Sequence, residues 1–154
     1  MKPIVLIFII LFSAPCFTSK DFQIIDATSQ EFLGGIPEAG YGTNYRLVLL
    51  AQKNSQKLTI DQMWIGNKFF EVKAKKKDHA PNDYSFAKND TIILSFSDIT
   101  KTNKEGEIIS KVLEKKLDPP YDFQGAALIG FTLKDKRKYK EVPAFRKLEK
   151  QVYH

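Results

Sequence analysis

The sequence predicts an all-β chain folded as an antiparallel β-sandwich, on three observations. Apolar and polar residues alternate along short runs, as in Phe70-Glu71-Val72-Lys73-Ala74-Lys75, which is the period of a strand with one buried face. Turn-forming Gly, Pro, Asn and Asp separate six or seven such runs. No stretch carries a convincing helical period over the length that a crossover helix needs, which removes parallel α/β folds. An immunoglobulin-like arrangement of two sheets is the leading reading. A small β-barrel is the alternative, because strand count alone does not separate the two.

Each run has its own warrant. Phe22 to Ala27 opens an extended segment that continues to Phe32 and Leu33. Residues 34–42, rich in glycine and containing Pro37, read as an inter-strand loop. Tyr45 to Leu50 is aliphatic and reads as a buried strand. From Leu58 the pattern places Leu58, Ile60 and Gln62 on one face and Thr59, Asp61 and Met63 on the other. Gly66-Asn67 has the composition of a two-residue hairpin turn, returning into a strand that puts Phe70, Val72 and Ala74 on one face. Lys75 to Asn89 is polar and contains Pro81, so it reads as a loop, and Thr91 to Phe96 as the next strand. Asp98 to Asp118 is a charged excursion in which only Ile108-Ile109 and Val112-Leu113 offer a short pairing or one helical turn. Ala126 to Leu133, a turn at 134–136, and Tyr139 to Val142 form a last hairpin. The tail from Pro143 fits helical and strand spacing equally.

The N-terminus carries a different signal. Lys2 precedes an unbroken apolar run from Ile4 to Phe12, and small and polar residues follow from Ser13 to Ser19. Charge, apolar core and small-residue region in that order predict a signal peptide over residues 1–19 and one β-sandwich domain over 20–154. The run is less than half the roughly 20 apolar residues that span a bilayer. Cys16 is the only cysteine and a candidate lipidation site. Ala14 suits a bacterial lipobox, whereas Ser13 and Pro15 depart from it. The domain therefore has no disulfide, and its core must hold the fold alone.

The formal net charge of +6 falls to +5 once Lys2 leaves with the leader. Such an excess favours anionic surfaces without selecting one. Lys134, Lys136, Arg137, Lys138 and Lys140 form the densest basic run, a candidate anionic-surface patch or a solvated hairpin tip. Gly40, Tyr41 and Gly42 form the candidate ligand loop, because loops cluster at the ends of a sandwich. Residues 34–42 precede a strand and lack the Gly-Lys-Ser/Thr of a phosphate-binding loop. Trp64, the sole tryptophan, reads as a core anchor. His79 and His154 have no partners at metal-ligand or triad spacing. Paired carboxylates, for instance Asp26 with Glu31 or Asp61 with Asp98, are the route left to glycoside chemistry. No cofactor is implied, no nucleic acid is expected for an exported domain, and the expectation is a non-enzyme.

Ala27-Thr28-Ser29-Gln30 leading into Gly34-Gly35, Gly40-Tyr41-Gly42-Thr43-Asn44-Tyr45, Trp64-Ile65-Gly66, Ala127-Leu128-Ile129-Gly130 and Lys136-Arg137-Lys138-Tyr139 together resemble a group of small, uncharacterised exported proteins of Bacteroidota. The resemblance covers most of the mature chain. It implies a Gram-negative envelope location, in the periplasm, at the outer membrane or outside the cell, often as a lipoprotein, and it supplies no functional residues. The resulting expectation is a binding or structural module for an envelope protein or glycan, touching membrane only if lipidated at Cys16. The alternatives are a small carboxylate-dependent hydrolase of envelope glycans and a binder of anionic glycan or lipid surfaces.

Overall fold

Strands with one apolar face must bury that face against another layer, and here they do so as two sheets. The structure is a computed structural model that describes residues 20–36, 39–77, 80, 83–105, 107–111 and 117–153 of the chain. Residues 1–19, with Cys16, and both histidines lie outside the described residues. The described residues form eleven strands in order: β1 Phe22–Leu33, β2 Tyr41–Ala51, β3 Leu58–Ile65, β4 Lys68–Glu71, β5 Lys75–Lys76, β6 Thr91–Thr102, β7 Ile108–Lys111, β8 Ala127–Leu133, β9 Lys136–Val142, β10 Arg146–Lys147 and β11 Gln151–Val152.

The larger sheet runs β1-β2-β6-β5 through its centre, with β10 and β11 on the β1 edge and β7 on β6; the smaller runs β4-β3-β8-β9. This is the strand order of an immunoglobulin-like sandwich, in which the chain changes sheets between β2 and β3, β4 and β5, and β7 and β8. It is not a closed barrel. The core lies between the sheets, where Leu47, Leu49, Ile92 and Leu94 of the larger meet Leu58, Met63, Ile129 and Phe131 of the smaller. All but Phe131 are fully excluded from water, each contributing about 1.5–3 kcal/mol by burial.

Two departures from the expected elements have clear causes. β6 continues to Thr102, through the segment that its charges marked as loop, because Asp98 meets Lys68 at the tip of the β3–β4 hairpin and β7 supplies a partner strand. The tail resolves as two short strands rather than a helix. β10 and β11 run parallel to β1, with Thr28 opposite Arg146 and Leu33 opposite Val152. Arg146 reaches the Asp26 carboxylate at 2.9 Å, and Gln30 Nε2 donates to the Glu149 carbonyl at 3.0 Å.

β1, β2 and β6 have 11 or 12 residues, whereas β3, β8 and β9 have 7 or 8. At about 3.3 Å per residue the larger sheet projects roughly 13 Å past the smaller. Its inward row at the far end, Val152, Leu33, Tyr41 and Thr100, is consequently open to solvent, with Leu33 42% and Tyr41 46% exposed.

Candidate functional site

The outer face of the smaller sheet is built around a β-bulge. Ile60 pairs with Phe131 and Gln62 with Gly130, leaving Asp61 as the extra residue. A bulge re-aims everything after it. Met63 therefore turns into the core, and Trp64, expected between the sheets, is buried on the opposite face with Phe69 and Leu128, flanked by Phe123 and Tyr139. The chain before β8 covers it, and Trp64 Nε1 donates to the Leu117 carbonyl at 2.9 Å.

Beside this cluster, Arg137 of β9 crosses the middle strand. Its Nη1 donates to Asp61 Oδ1 at 2.6 Å and its Nη2 to Gln62 Oε1. Gly130 leaves room for the crossing, since a Cβ there would lie 2.6 Å from Arg137 Nη2 and displace the guanidinium. Asp61 and Gln62 are thereby fixed at the border of a cleft.

The cleft follows from how the chain changes sheets. β4 pairs with β3 only from Gln62 to Ile65, after which the chain leaves to join β6 as β5. Among the described residues, Leu58 to Ile60 are left without a strand neighbour on that side. The opening holds about 640 Å³, within the roughly 300–1,000 Å³ of small-ligand sites. Buried Ile60, Phe69, Val72, Ala74 and Phe86 form an apolar floor. Ser55, Thr59, Asp61, Gln62, Glu71, Lys73 and Tyr84 form a polar rim. Tyr84 sits against the ammonium groups of Lys73 and Lys75, 5.2 and 5.5 Å from its ring centroid, yet stays 37% exposed.

The residues singled out in the sequence lie elsewhere, with the exception of Asp61. Gly40, Tyr41 and Gly42 were expected in a loop, but Tyr41 and Gly42 belong to β2. A Cβ on Gly42 would stand 2.0 Å from the Asp98 carbonyl oxygen, and one on Gly40 2.3 Å from that of Thr100. These glycines let β2 and β6 close up.

The basic run divides because strand alternation sends neighbours to opposite faces. Lys134 and Lys136 face solvent at the hairpin tip, while Arg137 holds Asp61. Lys138 meets Asp21 at 3.1 Å. Lys140 donates to the Phe22 carbonyl at 3.0 Å and lies 4.9 Å from the Phe22 ring centroid. Burial pulls the Lys140 ammonium below the ordinary lysine value, an effect that Asp21 partly offsets. Lys138 and Lys140 thus close the seam between the sheets rather than extend a surface patch.

The acid pairs are separated too. Asp26 binds Arg146, while Glu31 lies on the other face of β1. Asp61 and Asp98 lie on different sheets and are tied to Arg137 and Lys68 respectively. Asp61 and Glu71, instead, both line the cleft rim. Among the described residues, no group of three metal-ligating side chains is arranged to hold an ion. Sequence reasoning missed the cleft because it depends on the bulge and on where β4 leaves β3. The only usable signal was Tyr84 interrupting a polar loop.

No protein-family model, curated protein or solved structure matches this chain.

Proposed function

We propose that the chain is an exported, non-enzymatic β-sandwich of a bacterial cell envelope that works by binding, and that the cleft beside β3 is its binding site. One observation carries the choice of site. There an opening of about 640 Å³ with an apolar floor meets the hydrogen-bonding side chains of Thr59, Asp61, Gln62 and Glu71, all held on strands. The export part rests on the leader pattern of residues 1–19, and the envelope location on that pattern together with the resemblance to Bacteroidota proteins.

Two experiments test the reading. Expression of the full chain in a Gram-negative host should give a trimmed protein in the envelope fractions, with Cys16→Ser releasing it from membranes if Cys16 is lipidated. Recovery of the untrimmed chain from cytosol would overturn the export reading. Amide resonances of Thr59, Gln62 and Glu71 should then shift when envelope glycan or peptide fractions are added. Shifts confined to other surfaces would reject the site.

A hydrolase is the second reading, favoured by Asp61 and Glu71 lining one concave site. Against it, an Asp61 oxygen is already occupied by Arg137 at 2.6 Å, which suits a fixed acceptor better than a proton donor. Release of new reducing ends from envelope polysaccharide, abolished in both Asp61→Asn and Glu71→Gln, would decide for the hydrolase.

A further inference from the structure

We infer that the cleft takes a neutral, hydroxyl-rich ligand, an uncharged pyranose-containing oligosaccharide, and not a polyanion or an added peptide strand. The inference rests on the cleft being the binding site.

The first argument is charge. The chain carries +6 overall, and the described rim holds little of that excess. Asp61 is neutralised by Arg137, and Glu71 stands against Lys73 and Lys75, whose ammonium groups lie on Tyr84. Among the described residues a polyanion meets at most one excess positive charge here to offset its desolvation.

The second argument excludes strand addition. A peptide joining the β3 edge would draw its affinity from main-chain hydrogen bonds. The edge left by β4 spans only Leu58 to Ile60. At its two ends the Leu58 N–H is bonded to the Asn54 carbonyl at 3.0 Å, and the Asp61 carbonyl accepts from Val72 N–H at 3.1 Å. Too little ladder remains for an extended peptide, so recognition falls to side chains.

The third argument is the match of those side chains. A pyranose ring presents a C–H face and a belt of hydroxyls. The floor of Phe69, Phe86 and Val72 supplies the apolar surface for the first, beside the Tyr84 ring that Lys73 and Lys75 flank. For the second, the Asp61 and Gln62 oxygens keep lone pairs beside the bonds they accept from Arg137, the Ser55 hydroxyl, which accepts from Phe86 N–H, can donate, and the Thr59 hydroxyl can do either. Arg137 fixes Asp61 and Gln62 beforehand, which lowers the ordering cost of binding.

The test is an amide-shift titration of the mature domain with four neutral hexasaccharides, of α-glucose, β-glucose, mannose and N-acetylglucosamine. A heparin hexasaccharide and an uncharged hexapeptide of alternating valine and threonine run alongside. At least one neutral sugar should shift Thr59, Gln62, Glu71 and Tyr84. Tyr84→Ala and Glu71→Gln should each lower its association constant about tenfold or more, the scale of one lost stacking or charge-assisted contact, with the remaining spectrum unchanged. Tyr41→Ala, at the far end of the larger sheet, should leave it unaltered. Cleft shifts from heparin or the hexapeptide alone would overturn the ligand class while keeping the site. Silence of the cleft toward every probe would remove both, and sugar binding indifferent to the cleft variants would overturn the inference.

Discussion

The two halves of the larger sheet are made of the same three long strands and hold together in different ways. In the sheathed half, inward residues Leu47, Leu49, Ile92 and Leu94 are fully buried against the smaller sheet. In the projecting half, the same alternation continues with Leu33, Tyr41, Thr43, Asp98 and Thr100 inward, and among the described residues the smaller sheet reaches this row only through Lys68 at Asp98. Order there comes from the edges and the backbone. β10 and β11 bind the β1 side, β7 extends the β6 side, and Gly40 and Gly42 let β2 lie flush on β6. One half is stabilised by removing apolar surface from water, the other by completing hydrogen bonds along strands. Period-two alternation sets which way a residue points, while the length of the facing sheet determines whether that direction leads to a core.

The contrast can be broken experimentally, most forcefully in the sheathed half. Leu94→Ala should destabilise the domain by about 2–5 kcal/mol, since its cavity lies between two layers that cannot collapse freely. Urea titration checks this, and a loss below that of Leu33→Ala would erase the distinction. Gly42→Ala is next. Its methyl group would press on the Asp98 carbonyl from 2.0 Å, so an overpacking cost of about 1–3 kcal/mol is expected despite the absence of a core at that place.

Ending the chain after Pro143 should act more locally. Hydrogen exchange should quicken for amides of β1 from Thr28 to Leu33, with those of β3 and β8 retaining their protection. Uniform loss of protection would mean that the tail supports the whole sandwich. Leu33→Ala should cost no more than about 0.5–1 kcal/mol in the same urea assay, because its side chain is already 42% exposed.

The smallest effect is in alkaline pH dependence. Tyr45 lies where the halves meet, stacked on Phe96 at 5.2 Å. Burial first, and then the Asp98 carboxylate, raise its phenol above the ordinary tyrosine value. The folded state then holds the phenolic proton more tightly than the unfolded chain does. That contribution is complete below about pH 10 and is lost as pH rises through the folded value. Wild type should therefore lose stability faster than Tyr45→Phe above pH 10, and parallel profiles would show that Tyr45 makes no such contribution.

Much of the fold was legible in the residues. Phe22 to Leu33, Tyr45 to Leu50, the turn at Gly66-Asn67 and the Ala127 to Leu133 hairpin all reveal themselves through local alternation and turn chemistry. Gly66 takes the positive φ of 55° that the turn requires. Features set by distant parts of the chain were not legible. The bulge at Asp61 turned Trp64 outward, and nothing within Leu58 to Ile65 marks it. Asp98 and Lys101 read as loop because their strand partners lie in separate elements. Arg137 meets Asp61 across 76 residues of sequence. It looked like one more lysine-run cation until Gly130 was seen to open the way. The candidate cleft belongs to the same class, as a product of where one strand abandons another.

The parallel pairing of β10 and β11 with β1 has a mechanical consequence. β1 begins at one end of the larger sheet, and the tail finishes beside Leu33 at the other. Traction on Phe22 and Val152 in opposite directions would slide the tail along β1, loading the contacts at Thr28, Ser29, Phe32 and Leu33 together rather than peeling them one by one. A sandwich joined in this way resists being stretched between the start of β1 and the end of β11.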